Sequence, residues 1–81
     1  MKIHASARFI GSLLPFHNEI DVEIQESQIQ GNLEKVINLA LSKFKSKCSD
    51  YFKVNYADMC FFEVYYFSKE KEIQLFKKEK V

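Results

Sequence analysis

The chain has 81 residues and a mass of 9.6 kDa, which is enough for one small domain and too little for two. Its 47% hydrophobic and 28% charged residues, with only two glycines and one proline, exclude collagen-like, low-complexity and disordered sequence. The formal net charge of +1 excludes a strong overall attraction to nucleic acid or to an anionic membrane. We expect residues 1–81 to form a single small domain.

The first third of the chain predicts two strands. Residues 2–10 alternate, with Ile3, Ala5, Ala7 and Phe9 on one side and polar side chains on the other. Residues 11–18 interrupt the alternation and contain Pro15, so they predict a connecting loop. Residues 19–25 alternate again, with Glu19, Asp21 and Glu23 on the outward side. Because the connecting loop is short, the two strands should pair antiparallel.

The middle of the chain predicts one helix. Asn32 is a suitable N-cap, and the helical spacing of the apolar residues after it predicts a helix of about 16–20 residues. The apolar set is Leu33, Val36, Ile37, Ala40, Leu41, Phe44 and Cys48. Five lysines, Lys35, Lys43, Lys45, Lys47 and Lys53, accompany this segment.

The last third predicts a second hairpin. Residues 59–67 are almost wholly apolar and aromatic, as is typical of a central strand. Residues 68–71 have the length and polarity of a hairpin loop, and residues 72–77 continue as a fourth strand. The predicted fold is therefore α+β: one four-stranded antiparallel sheet in ββαββ order, with the single helix on one face.

One helix leaves the second face of such a sheet uncovered. Glu63 shares its side of the third strand with Met59, Phe61, Tyr65 and Phe67, and an ionised carboxylate is costly to bury, so this side should face outward. We expect Phe76 of the neighbouring strand to join these aromatic residues, with Glu19, Asp21, Glu23 and Glu63 at the rim. Three alternatives remain for this surface: the loop 13–16 or the C-terminal tail covers it, a second copy of the chain binds it, or a heterologous protein does.

The chemistry-bearing residues do not indicate an enzyme. His4 and His17 lack the spacing that organises a metal site, and the sequence contains neither a glycine-rich phosphate loop nor a nucleophile elbow. Cys48 and Cys60 lie in apolar patterns, which predicts free buried thiols and a reducing, cytoplasmic location. No run is long and apolar enough for a membrane span. We expect no catalytic residue, metal or cofactor.

In its length and its content of Lys, Ile, Phe and Tyr, the chain resembles the compact proteins that phages and other mobile elements encode. That resemblance implies a small inhibitor that occludes a host complex, such as an anti-CRISPR or another anti-defence protein. The sequence thus favours a non-enzymatic protein-binding module with Phe61, Tyr65, Phe67 and Phe76 as apolar contacts. The alternative is a weak nucleic-acid-binding protein that uses the five helical lysines, although the segment lacks arginine for base recognition.

Overall fold

The computed structural model describes residues 1–79, and its elements follow the predicted order. They are β1 (Lys2–Phe9), β2 (Phe16–Asp21), α1 (Leu33–Lys47), β3 (Met59–Ser68) and β4 (Lys71–Glu79). The four strands form one antiparallel sheet in the order β2-β1-β3-β4, so the predicted α+β fold is confirmed. Among residues 1–79, no helix combines the length and the apolar character needed to cross a membrane.

The core lies between α1 and one face of the sheet. The inward side chains of β1 are Ile3, Ala5, Ala7 and Phe9, all at most 2% exposed. On β3 the buried set is Phe62, Val64 and Tyr66, and the Phe62 ring meets the ring of Phe44 from α1 at 6.2 Å. The predicted orientation of β3 is therefore confirmed, with Glu63 on the side away from the helix.

The bounds of β2 differ from the prediction at both ends. The strand starts at Phe16 because that ring stacks on Phe52 at 4.3 Å between centroids, which draws residues 16–18 into the ladder with β1. The prediction of a loop over residues 11–18 was thus too long. The strand ends at Asp21, so Glu23 does not continue the outward row. Glu23 instead lines a depression with Lys35 and other residues of α1.

The loop between β1 and β2 does not cover the uncovered sheet face. Leu13 and Leu14 are 97% and 76% exposed, and Phe16 packs toward the helix side. The alternative in which residues 13–16 close over the sheet is therefore wrong.

The start of α1 is built differently from the prediction. Asn32 does not accept a capping hydrogen bond with its side chain; its Nδ2 donates to the Gln28 carbonyl at 2.8 Å. Two short 3₁₀ turns, Glu26–Gln28 and Gln30–Asn32, lead into the helix. After Lys47 the helical path continues as a π-type turn to Phe52. The helical segment thus has the expected length but not the expected cap.

Two register shifts, one on each side of β3, place some side chains on the opposite face of the sheet from the one predicted. Between Val64 and Tyr65 the pairing with β4 passes from Phe76 to Gln74, which leaves Leu75 as an extra residue. Phe76 consequently lies on the helix side, with its ring 5.9 Å from that of Phe62. The prediction that Phe76 belongs to the outward aromatic surface was wrong.

The second register shift lies between β1 and β3. Arg8 pairs with Phe61 and Phe9 with Met59, so Cys60 is the extra residue and Met59 packs against the core. The Cys60 thiol is half-buried and donates to the Arg8 carbonyl at 3.5 Å. Cys48 is buried, as predicted, and both thiols are free.

Candidate interaction face of the sheet

The sheet surface opposite α1, called the open face below, is organised in cross-strand rows. Three of these rows join three or four strands, and the pairs Lys2–Asp21 and Phe67–Glu72 lie beyond them at one end. The first row runs Glu19–His4–Tyr65–Gln74, the second His17–Ser6–Glu63–Lys77, and the third Arg8–Phe61–Glu79. Phe67 follows Tyr65 on the same side of β3 and is 52% exposed. The open face therefore brings together the predicted residues Phe61, Glu63, Tyr65 and Phe67.

One end of the open face is a cluster of rings around His4. The His4 ring stacks on Tyr65 at 5.4 Å with an interplanar angle of 12°, and on His17 at 5.3 Å. Phe67 meets His4 edge-on at 5.1 Å. These contacts leave the His4 side chain only 15% exposed. The surrounding aromatic rings thus hold the imidazole in one place on an otherwise accessible surface.

The same end carries a polar contact network. His4 Nδ1 lies 3.2 Å from His17 Nε2 and 3.6 Å from Glu19 Oε1. The other carboxylate oxygen, Glu19 Oε2, lies 3.3 Å from Lys2 Nζ. The hydrogen bond from Lys2 is the largest cause that lowers the pKa of the Glu19 carboxyl, and it outweighs the opposite effect of burial. Glu19 is thus held as a carboxylate with one oxygen directed to lysine and the other to imidazole.

At the other end of the open face, two cations lie against the ring of Phe61. The Arg8 guanidinium lies 5.2 Å from the centre of the Phe61 ring, and Lys77 Nζ lies 5.9 Å from it. Lys77 also pairs with Glu79 at 3.5 Å. Glu63 lies inside the face, between Ser6 and Lys77, and is not at a rim. The predicted arrangement of aromatic residues surrounded by acids is therefore wrong at this end.

The predicted acidic stripe is divided. Glu19 and Asp21 lie on the open face, where Asp21 pairs in register with Lys2, while Glu23 lies beyond the strand. Both acids lie next to the same cation, Lys2. Glu63, Glu72 and Glu79 lie on the same face, so its acids outnumber its cations, which are Lys2, Arg8 and Lys77. Such a surface complements one that carries basic side chains.

The five helical lysines do not form one surface. Lys43 Nζ donates to the Glu19 carbonyl, and Lys47 Nζ donates to the buried Asn18 Oδ1 at 3.1 Å. Lys45 lies about 200° around the helix axis from both of them, since each residue turns the helix by about 100°. The nucleic-acid alternative therefore has fewer lysines on any one side than the sequence suggested, and a gel-shift titration against salt remains its test.

The sequence analysis missed the meeting of His4 and His17. His4 was assigned to the outward side of β1, but His17 was assigned to a loop, so the two were never placed on one surface. Extending the alternation of the second strand back from Glu19 by two residues puts His17 on the same side as Glu19. The alternation of residues along the second strand was therefore the sequence signal that could have placed His17 beside His4.

A second concave feature lies on the helix side of the sheet. It is a depression of about 310 Å³ between Leu41 of α1 and the edge formed by β3 and β4, lined by Met59, Phe62 and Phe76 among others. Its walls are mainly aromatic and aliphatic side chains that also belong to the core. Tyr56, Cys60 and Lys78 also line the depression, which is therefore mainly apolar with a few polar groups at its edge.

No protein-family model matches the chain, and comparisons with curated proteins and with solved structures gave no match. What the chain does must be inferred from the chemistry of its own surface.

Proposed function

We propose that the chain is a non-enzymatic protein-binding module that contacts its partner through the open face. The observation that carries this proposal is the set of half-exposed rings of Phe61, Tyr65 and Phe67 on a flat sheet surface that no other part of residues 1–79 covers. Aromatic side chains and arginine are the residue types that dominate binding energy at protein interfaces.

The size and polarity of the open face support a heterologous partner over a second copy. Four strands spaced by about 4.8 Å, over about eight residues that rise 3.3 Å each, give a footprint of only about 500 Å². Obligate dimers bury larger and more apolar surfaces than this. Every row of the open face carries at least one charged residue, which suits a transient contact with a partner that supplies the opposite charges.

The charge pattern specifies the chemistry of the partner surface. Phe61 with Arg8 and Lys77 suits an apolar side chain flanked by acids. At the other end the rings of Tyr65 and Phe67 suit an aliphatic or aromatic side chain next to a hydrogen-bonding group. Because acids outnumber cations on the open face, we propose as the binding partner an apolar patch on a folded protein that carries an acid toward Arg8 and basic side chains around it.

We further propose that binding acts by occlusion of a host complex in the cytoplasm. The support for occlusion is the resemblance in length and composition to compact proteins of phages and mobile elements, anti-CRISPR and other anti-defence inhibitors among them. The support for a cytoplasmic location is the pair of free thiols, since reducing compartments keep cysteines in this form.

Affinity capture with matched variants tests the proposal. Tagged wild type, Phe61→Ala and Tyr65→Ala are used as baits, and Tyr51→Ala serves as control because Tyr51 is a 77% exposed aromatic residue outside the open face. A partner that binds the open face should be retained by Tyr51→Ala. Its affinity for each of the other variants, measured by calorimetry with purified partner, should fall by about 30-fold, the effect of a typical hot-spot residue.

Two results would contradict the proposal in different ways. Equal capture by wild type and by folded Phe61→Ala and Tyr65→Ala would show that the open face is not the binding surface. A wild-type dimer in sedimentation equilibrium that dissociates with Phe61→Ala but not with Tyr51→Ala would show that the occupant is a second copy.

A further inference from the structure

We propose that His4, His17 and Glu19 bind a divalent transition-metal ion of the zinc class. The three side chains come from two paired strands and lie on the open face. Each offers one ligand atom, and these atoms all lie within 4.8 Å of one another. Two imidazoles and one carboxylate are a ligand set that zinc uses when it keeps its fourth position open.

The distances between ligand atoms fit this ion. Zinc bonds to nitrogen and carboxylate oxygen are about 2.0–2.2 Å long, so in a tetrahedral site neighbouring ligand atoms are about 3.3–3.5 Å apart. His4 Nδ1 lies 3.2 Å from His17 Nε2 and 3.6 Å from Glu19 Oε1. The third distance, between the ligand atoms of His17 and Glu19, is within 4.8 Å, so rotation of these two exposed side chains would bring all three ligands to one ion.

The sheet and its neighbours already fix the three ligands. His4 and Glu19 are direct cross-strand partners, and His17 pairs with Ser6, so it lies diagonally from His4. Tyr65 and Phe67 pack on the His4 ring, and Lys2 occupies Glu19 Oε2, which leaves Oε1 toward the imidazoles. Supporting contacts of this kind orient ligands and raise metal affinity.

The donor atoms also select among metals. Two nitrogens and a single carboxylate favour Zn²⁺, and by the general order of affinities also Ni²⁺ and Cu²⁺. They disfavour Ca²⁺ and Mg²⁺, which take oxygen ligands. Because His17 and Glu19 are exposed, the fourth position faces solvent and is available to water. The 3.2 Å contact between His4 Nδ1 and His17 Nε2 has a competing interpretation, which is an N–H···N hydrogen bond between the two imidazoles.

Calorimetry with Zn²⁺ and with Mg²⁺ on the full chain tests the site, and the visible absorption of Co²⁺ reports its geometry. We expect one Zn²⁺ per chain, no saturable Mg²⁺ binding and the intense absorption of tetrahedral Co²⁺. His17→Ala should weaken Zn²⁺ binding by about 100-fold, because even the outer partners of metal ligands contribute about 10–100-fold. Glu19→Gln should weaken it by a smaller factor of about tenfold or more.

Two controls separate this site from other donors. Asp21→Asn removes an acid from the same strand and the same face, and Cys60→Ser removes the half-buried thiol. Both should bind Zn²⁺ as the wild type does. Thermal unfolding followed by circular dichroism establishes whether each variant is folded. If His17→Ala is unfolded, the Zn²⁺ affinity of Glu19→Gln alone tests the proposal. The proposal is overturned if wild type binds no Zn²⁺, if the folded ligand variants bind it unchanged, or if Asp21→Asn weakens it as much as Glu19→Gln.

Discussion

Alanine substitutions at the adjacent residues Phe61 and Phe62 should have very different effects on stability. Phe62 is 3% exposed and packs between the rings of Phe44 and Phe76. Truncating a buried phenylalanine leaves a cavity and costs about 3–5 kcal/mol. An 81-residue chain has a total stability of only about 4–12 kcal/mol. Phe62→Ala should therefore leave the protein partly or largely unfolded at room temperature.

Phe61→Ala removes much less. The ring is half-buried, and its specific contacts are the two cations at 5.2 and 5.9 Å, each worth about 0.5–1 kcal/mol at an exposed site. The expected loss is thus about 1–2 kcal/mol. Urea unfolding followed by circular dichroism measures both values, since the chain contains no tryptophan for fluorescence.

An equal loss from the two substitutions would refute the orientation of β3. Alternate residues of a strand point to opposite faces, so this pair reports which face the helix covers. If Phe61 proved to be the buried ring, Tyr65 would lie beneath the helix with it, and the open face would lose two of its three aromatic contacts. The binding proposal would then fail together with the assigned orientation of β3.

Three further predictions concern single side chains. Burial raises the pKa of the Cys48 thiol, so a thiol reagent should label Cys60 first and Cys48 only on unfolding; equal rates would contradict this. Burial and the hydrogen bond to Glu26 raise the pKa of Tyr66, so an absorbance titration of the folded protein should show a late phase that Tyr66→Phe removes. The stability linked to this group is present below the usual tyrosine pKa and is lost as pH rises through the raised value. The pKa of Glu19 is lowered, chiefly by its lysine partner, so its contribution to stability is present above the usual carboxyl range and is lost as pH falls through the lowered value. Urea unfolding of Glu19→Gln should therefore differ from that of wild type at neutral pH and converge with it in acid, and a difference that persisted in acid would contradict the assignment.

The alternation of polar and apolar residues predicted most of the fold. In β1 four small or apolar side chains alternate with polar ones, and this pattern has only one orientation on a half-covered sheet. In β3, where nearly every residue is apolar, the single charge of Glu63 decided the orientation correctly. Local patterns thus specify the faces of the two central strands.

The errors arose where distant residues decide the local structure. Phe16 joins β2 because it stacks on Phe52, a contact that no local pattern reveals. The hairpin loop predicted over residues 68–71 is present, but its conformation, with Lys69 and Glu70 at φ values of 51° and 66°, has no glycine or asparagine signal in the sequence. The extra residue Leu75 also lacks a glycine signal. Pairing with the neighbouring strand determines each of these features.

The residues of the candidate surface were therefore predicted in part. Phe61, Glu63, Tyr65 and Phe67 follow from the orientation of β3 alone, and they were found. The cluster of His4, His17 and Glu19 needs the register between β1 and β2, which depends on the true start of β2 at Phe16. Because the predicted start of β2 was three residues too late, the sequence analysis did not predict this cluster.

The two register shifts also limit the apolar area of the open face. Without them, strict alternation would place Met59 and Phe76 beside Phe61, Tyr65 and Phe67 and produce a continuous apolar patch, which promotes aggregation. The extra residues Cys60 and Leu75 turn both side chains toward the core instead. Phe61 remains apart from Tyr65 and Phe67, whose rings meet at 5.7 Å, and charged and imidazole groups surround all three. Apolar side chains in polar surroundings of this kind are what the binding proposal requires.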